Sequence, residues 1–161
     1  MIDETINKSS KRVQDVLQKY AIDTKIVQFP QSTHTAQEAA DAIGCTVGQI
    51  VKSLVFCIKE TQQPILVLVS GSNRVDEKLL ESVVGEKIKK ANADFTKNVT
   101  GFAIGGIPPV GHVQKLKTFI DEDLLLHKEI WAAAGTSHTV FSLTFSDLKR
   151  ITNGVIIRMA L

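Results

Sequence analysis

The sequence predicts an α+β fold, with helices surrounding a mixed, largely antiparallel sheet. Three observations lead there. Apolar runs of strand length occur in groups, at 49–58 and 65–69 and again at 118–120, 129–131 and 139–143. Segments with helical spacing stand between the groups. Several connections are short enough for hairpins.

The elements follow in order. Val13, Val16, Leu17 and Tyr20 share one face of a first helix over 10–20, with Ser9 or Ser10 at its start. A short strand over 25–29 stops at Pro30. Thr35 and Glu38 have capping-box spacing, so a second helix begins at Thr35; it carries Ala36, Ala39, Ala40 and Ile43 on one face and stops at Gly44. The strands at 49–58 and 65–69 pair through a turn near 61–63. Asp76 caps a third helix whose inner face is Leu79, Leu80, Val83 and Val84, closed by Gly85. Lys87, Lys89 and Lys90 fall in a strand-like run, read as a solvated edge ahead of a phosphate-facing one. Asn92 caps a short helix through Phe95 and Val99, ended by Gly101. A turn of helix fills 121–126 between two strands. Thr144 and Asp147 repeat the capping-box spacing, and Asn153-Gly154 turns into a last strand over 155–158.

The 161 residues suit a single domain over the whole chain, with residues 1–9 free to form a flexible N-terminus. Hydrophobic residues make up 43%, enough for a substantial core. A net charge of +2 does not mark a strongly basic nucleic-acid binder, so any RNA contact would need a local patch. No apolar run reaches the length of a membrane span. Met1-Ile2-Asp3-Glu4 lacks the basic-then-apolar pattern of a secretory leader. Cys45 and Cys57 make neither a disulfide framework nor a CxxC motif, and Cys57 reads as a core residue. These features together predict a soluble, cytoplasmic protein with no membrane attachment.

Two stretches carry chemistry. Gly105-Gly106-Ile107-Pro108-Pro109-Val110-Gly111-His112 is permissive at its glycines and stiff at its prolines. Such a loop either holds main-chain N–H groups in a pattern that suits an oxyanion or phosphate, or is a plain turn between strands. Lys52 is the only charged residue between Asp41 and Lys59 and lies within an apolar strand. A lysine there either points into a polar cavity or snorkels from an edge strand. Thr33, His34 and Thr35 occupy the positive end of the second helix, where they either face an anionic group or only cap the helix.

Several ordered motifs resemble the YbaK/prolyl-tRNA-synthetase-associated editing domain family. They are Ile50-Val51-Lys52-Ser53-Leu54-Val55-Phe56, the Gly-Gly-x-x-Pro-x-Gly-His loop at 105–112, and His34-Thr35-Ala36-Gln37-Glu38-Ala39-Ala40. Gly71-Ser72-Asn73-Arg74-Val75-Asp76, Phe119-Ile120-Asp121-Glu122-Asp123-Leu124 and Ala134-Gly135-Thr136-Ser137-His138 complete the set. The resemblance implies a sheet curled toward a barrel. It also implies hydrolysis of the ester that joins a wrong amino acid to tRNA. The partner is then mischarged tRNA, with an aminoacyl-tRNA synthetase as a further possible partner, and the chain acts in trans because it carries no synthetase domain. The attacking water is activated by a ribose hydroxyl of the substrate, with no protein nucleophile.

The residues themselves are compatible with that chemistry. None of His34, His112, His127 and His138 is paired with another ligand at metal spacing, so neither metal nor cofactor is expected. No nucleophile elbow is present, and Ser53 should face away from Lys52. Main-chain donors in a glycine loop stabilise a developing oxyanion by roughly 3 kcal/mol each. Lys52 is the expected electrostatic residue, with Gly106 and His112 beside it in the catalytic set. Gly105, Gly111 and Pro109 shape the loop. Asp121 holds the loop or Lys52, or acts as a cap. His34, Thr35, Gly135 and His138 are expected to line the same cavity. A stiff loop and an alanine-faced helix predict a small pocket and a small aminoacyl group. Two other activities stay open: a non-catalytic tRNA- or nucleotide-binding module, and a hydrolase of a small aminoacyl ester metabolite.

Overall fold

The longest apolar run pairs with its neighbour along its length. In the computed structural model, which describes residues 7–160, Val51 lies opposite Ser70 and the antiparallel register continues to Cys57 opposite Pro64. These two strands are the axis of an eight-stranded sheet. The elements are α1 (Lys8–Lys19), β1 (Val27–Gln28), α2 (Ala36–Ile43), β2 (Ile50–Ile58), β3 (Pro64–Ser70), α3 (Glu77–Val84), β4 (Ile88–Lys90), α4 (Ala93–Thr100), β5 (Lys117–Asp121), β6 (Ile130–Ala133), β7 (Thr139–Leu143), α5 (Phe145–Thr152) and β8 (Val155–Ile157). Short 3-10 turns occupy Val47–Gln49 and Glu122–Leu126.

The strand order is β1-β7-β6-β2-β3-β5-β8, with β4 added to β2. Among the described residues, four pairings are antiparallel and three, β2–β6, β3–β5 and β5–β8, are parallel. The α+β class and the mixed sheet match the sequence expectation, and the sheet remains open. Alternation along β2 divides its side chains between two cores. Val51 and Val55 join the larger one with Leu66, Phe102 and Phe141, whereas Phe56 joins a second with Val67, Leu80 and Met159. Apolar cover on both faces explains why β2 and β3 read as continuous apolar runs rather than alternating ones. Each fully buried large side chain of this kind contributes about 2 kcal/mol.

Local chemistry sets most boundaries. Thr35 and Glu38 form the capping box, and Gly44, Gly85 and Gly101 close α2, α3 and α4 in the left-handed region. Three expectations are corrected. Asn7, not Ser9 or Ser10, caps α1 through its side chain; Ser10 is buried inside the helix and donates to Ala134 O at 2.7 Å. Ser9 likewise lies in α1, so of the expected flexible segment only residues 1–6 fall outside the described chain. Val83 is 46% exposed, because α3 turns Leu80 alone fully inward. As expected, Asn153 ends α5 at φ 51° and the chain turns there into the last strand, β8, which runs parallel to β5.

Candidate active site

β2 is incompletely covered along one edge. β6 meets it only at Ile50 and Val51, and β4 only from Phe56 to Ile58. A cavity of about 280 Å³ lies along the gap. Its walls come from residues 33–36 and Ala39 at the start of α2, from residues 50–54, from Ile104, Gly105 and Ile107, and from residues 131–133 and Val140. Lys52 is the only Lys, Arg, Asp or Glu in this lining.

The Lys52 ammonium donates to the main-chain carbonyl of Asn73 at 2.6 Å. Asn73 is itself held, its side-chain amide donating to Asp121 Oδ2 at 2.9 Å and Asp123 Oδ2 at 2.7 Å. Asp121 is 1% exposed and also accepts from the N–H of Ser70 and the N–H of Asp123. Asp121 therefore caps the 3-10 turn and fixes the loop that carries the lysine's acceptor. No carboxylate among the described residues lies within ion-pair distance of Lys52. Burial, and then the Arg74 charge, lower its pKa from the ordinary 10.5, with the Asp121 charge opposing.

The glycine–proline loop splits between two places. Gly105, at φ 98°, faces the cavity, and a Cβ there would run into the His34 imidazole. Gly106 is buried with its N–H donated to Ala103 O at 3.1 Å, and a Cβ on it would come within 2.7 Å of the Thr136 main chain. Its N–H is thus engaged inside the loop. Pro109, Gly111 and His112 line a different cavity of about 420 Å³ with Tyr20 and Lys115. His112 Nε2 lies 2.7 Å from Pro108 O. A carbonyl only accepts, so Nε2 carries the proton in that bond. The ring also meets Phe102 edge-on at 6.2 Å. Burial pushes the His112 pKa below 6.5, with the Pro108 bond opposing and the Arg12 charge adding to the lowering.

The expectation that Gly135 and His138 share the lysine's cavity is corrected. Gly135, at φ 103°, packs on α1, where a Cβ would come within 2.8 Å of Ser9 main-chain atoms. His138 Nδ1 lies 3.0 Å from Gln31 O, and its own carbonyl accepts from the Phe29 N–H. With Ser137 O accepting from the Thr33 N–H, these bonds hold the segment that delivers His34 and Thr35 to the cavity. The Thr35 side chain is engaged in its cap, accepting from the Glu38 N–H. Sequence reasoning placed Lys52, His34, Thr35 and Gly105 together, and these four do line one cavity. It missed Asn73 as the lysine's partner and Trp131, Ala132 and Ala133 as a wall. Asn73 lay inside a recognised motif, but nothing local assigned it a role.

A family model described as an aminoacyl-tRNA editing domain matches residues 30–151. The chain belongs to this family. The aminoacyl-tRNA editing domain is 26% identical over 144 residues to the uncharacterised YwhH of Bacillus subtilis, covering 89% of this chain and 91% of that one. It is 26% identical to a proposed Cys-tRNA(Pro)/Cys-tRNA(Cys) deacylase, EbsC of Enterococcus faecalis, over 74% of this chain and 73% of that one. It is 33% identical over 95 residues to the proline–tRNA ligase of Limosilactobacillus fermentum, covering 56% of this chain but only 17% of the ligase. A solved structure described as a proposed trans-editing enzyme for prolyl-tRNA synthetase superposes with TM-score 0.91 at 42% identity, covering 98% of this chain and 99% of that one.

For an editing domain, the cavity's composition is informative. Among the described residues, no three His, Cys, Asp or Glu side chains gather as a metal-ligand set. Within the described residues, no helix is long and apolar enough to cross a membrane. The cavity instead offers one ammonium held by a neutral carbonyl, an imidazole at its rim and apolar walls. That arrangement can stabilise a developing negative charge while leaving little room around the acyl group.

Proposed function

We propose that this chain removes a small, wrongly attached amino acid from tRNA, acting in trans in the cytoplasm. Water adds to the ester carbonyl carbon, the bond to the ribose oxygen breaks, that oxygen takes a proton, and free amino acid and uncharged tRNA result. Lys52 is the electrostatic residue in this reading: its ammonium lies beside the carbonyl oxygen or the terminal phosphate as charge develops. His34, Thr35 and Gly105 contact the substrate, while Asp121 acts through Asn73 to position the lysine. A substrate ribose hydroxyl activates the water. Gly106, Pro109, Gly111, His112, Gly135 and His138 hold the loops that shape this site.

The observation that carries the reading is a single ammonium, with no other Lys, Arg, Asp or Glu in the cavity lining, bonded to a neutral carbonyl and so available to an anion. The match to the editing family and the likeness to a proposed prolyl trans-editing structure support the tRNA substrate. The test is hydrolysis of a panel of correctly and incorrectly charged tRNAs after exhaustive chelation. Release of a small non-cognate amino acid is expected. Activity that vanishes on chelation and returns with zinc contradicts the mechanism, and no release from any charged tRNA contradicts the function.

A further inference from the structure

The open stretch of β2 has a direction. Ile50 O accepts from the Gly71 N–H at 2.7 Å, and the Ile58 N–H donates to Gln63 O at 2.9 Å. Even-numbered residues of β2 therefore aim their main-chain groups at β3. On the opposite edge Val55 O accepts from the Ala91 N–H at 3.1 Å, and the Lys59 N–H donates to Lys87 O at 2.9 Å. Odd-numbered residues aim there. Ser53 is odd-numbered and falls between Val51, the last partner of β6, and Val55, the first contact of the β4 side. Its N–H and C=O thus point out of the sheet edge where no strand receives them. Both the lysine cavity and a second cavity of about 190 Å³ adjoin Ser53. Independently, Ser53 Oγ is the one buried side-chain polar atom among the described residues without a hydrogen-bond partner. A buried hydroxyl left unpaired costs about 1–3 kcal/mol, so its persistence points to a partner that arrives with a ligand.

An aminoacyl ester carries a carbonyl on one side of its α-carbon and an ammonium on the other. Those are the two groups a strand residue exchanges with its opposite number in a hydrogen-bonded antiparallel pair. We infer that Ser53 recognises the aminoacyl group by strand-like pairing: its N–H donates to the ester carbonyl oxygen, and its C=O accepts from the α-ammonium. This rests on the deacylase reading above and names the contact that the engaged Gly106 N–H does not supply. Paired residues put their side chains on the same face with α-carbons about 5.5 Å apart. The substrate side chain then lies beside Ser53 Oγ and toward the second cavity, which shares Ser53, Leu54, Ile104 and Ile107 with the first. A hydroxyl or thiol on that side chain gives Oγ its missing partner.

The test compares alanyl-tRNA with propionyl-tRNA, which lacks only the α-amine, each enzymatic rate being divided by its spontaneous rate. The acceleration is expected to be at least about tenfold smaller for the propionyl ester, the loss of one charge-assisted hydrogen bond. In parallel, adenosine carrying alanine through an amide at its ribose is titrated into labelled protein. The Ser53 amide proton should shift downfield on binding while that of Gly106 stays in place. Equal accelerations for the two esters, or binding without a shift at Ser53, overturn the pairing and leave the deacylase reading intact. Absence of acceleration for both esters, and for every other charged tRNA, overturns the two together.

Discussion

Lys52 and His112 are both basic side chains whose proton affinity burial lowers, yet their surroundings differ in kind. Lys52 lines a cavity walled by four separate parts of the chain, and its ammonium touches protein through one bond, to Asn73 O. His112 bonds back to Pro108, four residues away in its own loop, and packs on Phe102. A group held by one neutral acceptor retains capacity for a ligand. A group closed on its own loop is an anchor. The resemblance to a family put both residues in one catalytic set; the geometry places them in different cavities.

Substitutions sharpen that division. Lys52→Ala should slow hydrolysis of mischarged tRNA by about a hundredfold or more, read under single-turnover conditions. Lys52→Arg should restore little, because a planar fork does not replace a compact ammonium. Since the active form is the charged one and the folded pKa lies below 10.5, the wild-type rate should fall as pH rises, beginning before that value is reached.

Asp121→Ala comes next. It removes a buried carboxylate that accepts from Ser70, Asn73 and Asp123. Stability should fall by about 3 kcal/mol in denaturant unfolding, and hydrolysis should weaken as Asn73 loosens its hold on Lys52. If unfolding is unaffected, the relay from Asp121 to Lys52 is wrong.

Ala133→Leu narrows the cavity at the wall that β6 contributes. It should lower turnover of a bulkier acyl group about tenfold more than that of alanine, in keeping with the 1–3 kcal/mol available from one or two carbons. Equal turnover of aromatic and small esters by the parent protein would sink the small-pocket reading.

The smallest effect is a pH dependence of stability at His112. Its folded pKa lies below 6.5, so the unfolded chain takes up the proton first. Stability is complete above pH 6.5 and declines as pH falls from there toward the folded value. His112→Gln should flatten that part of a melting-temperature profile. An unchanged slope would show that the imidazole is not buried in its neutral form.

Much of the fold was legible because its signals are local. The Thr35–Glu38 capping box, the stop at Gly44 and the apolar runs of β2 and β3 each arise within a dozen residues. The site was legible where a rule of burial is broken, as by Lys52 in an apolar strand. Its far wall was not, because Trp131 reaches the cavity through the parallel pairing of β6 with β2 across about 80 residues of chain. The open edge at Ser53 is likewise a property of strand order, visible only once β4 and β6 are seen to stop short of each other. The glycine loop was ambiguous for the opposite reason. Its composition also marks tight packing, a need that Gly106 meets against Thr136, as Gly135 does against Ser9 in a separate turn.

The central claim is that chemistry resides at Lys52 and not at His112. The direct measurement sets Lys52→Ala and His112→Ala side by side, with single-turnover hydrolysis and the thermal midpoint read on each. Lys52→Ala should lose the rate and keep its midpoint, with stability within about 1 kcal/mol of the parent. His112→Ala should lower the midpoint and keep the rate within about threefold once folded, since it loses one hydrogen bond and an aromatic contact. Full activity in the lysine variant together with loss of rate at an unchanged midpoint in the histidine variant would contradict the account.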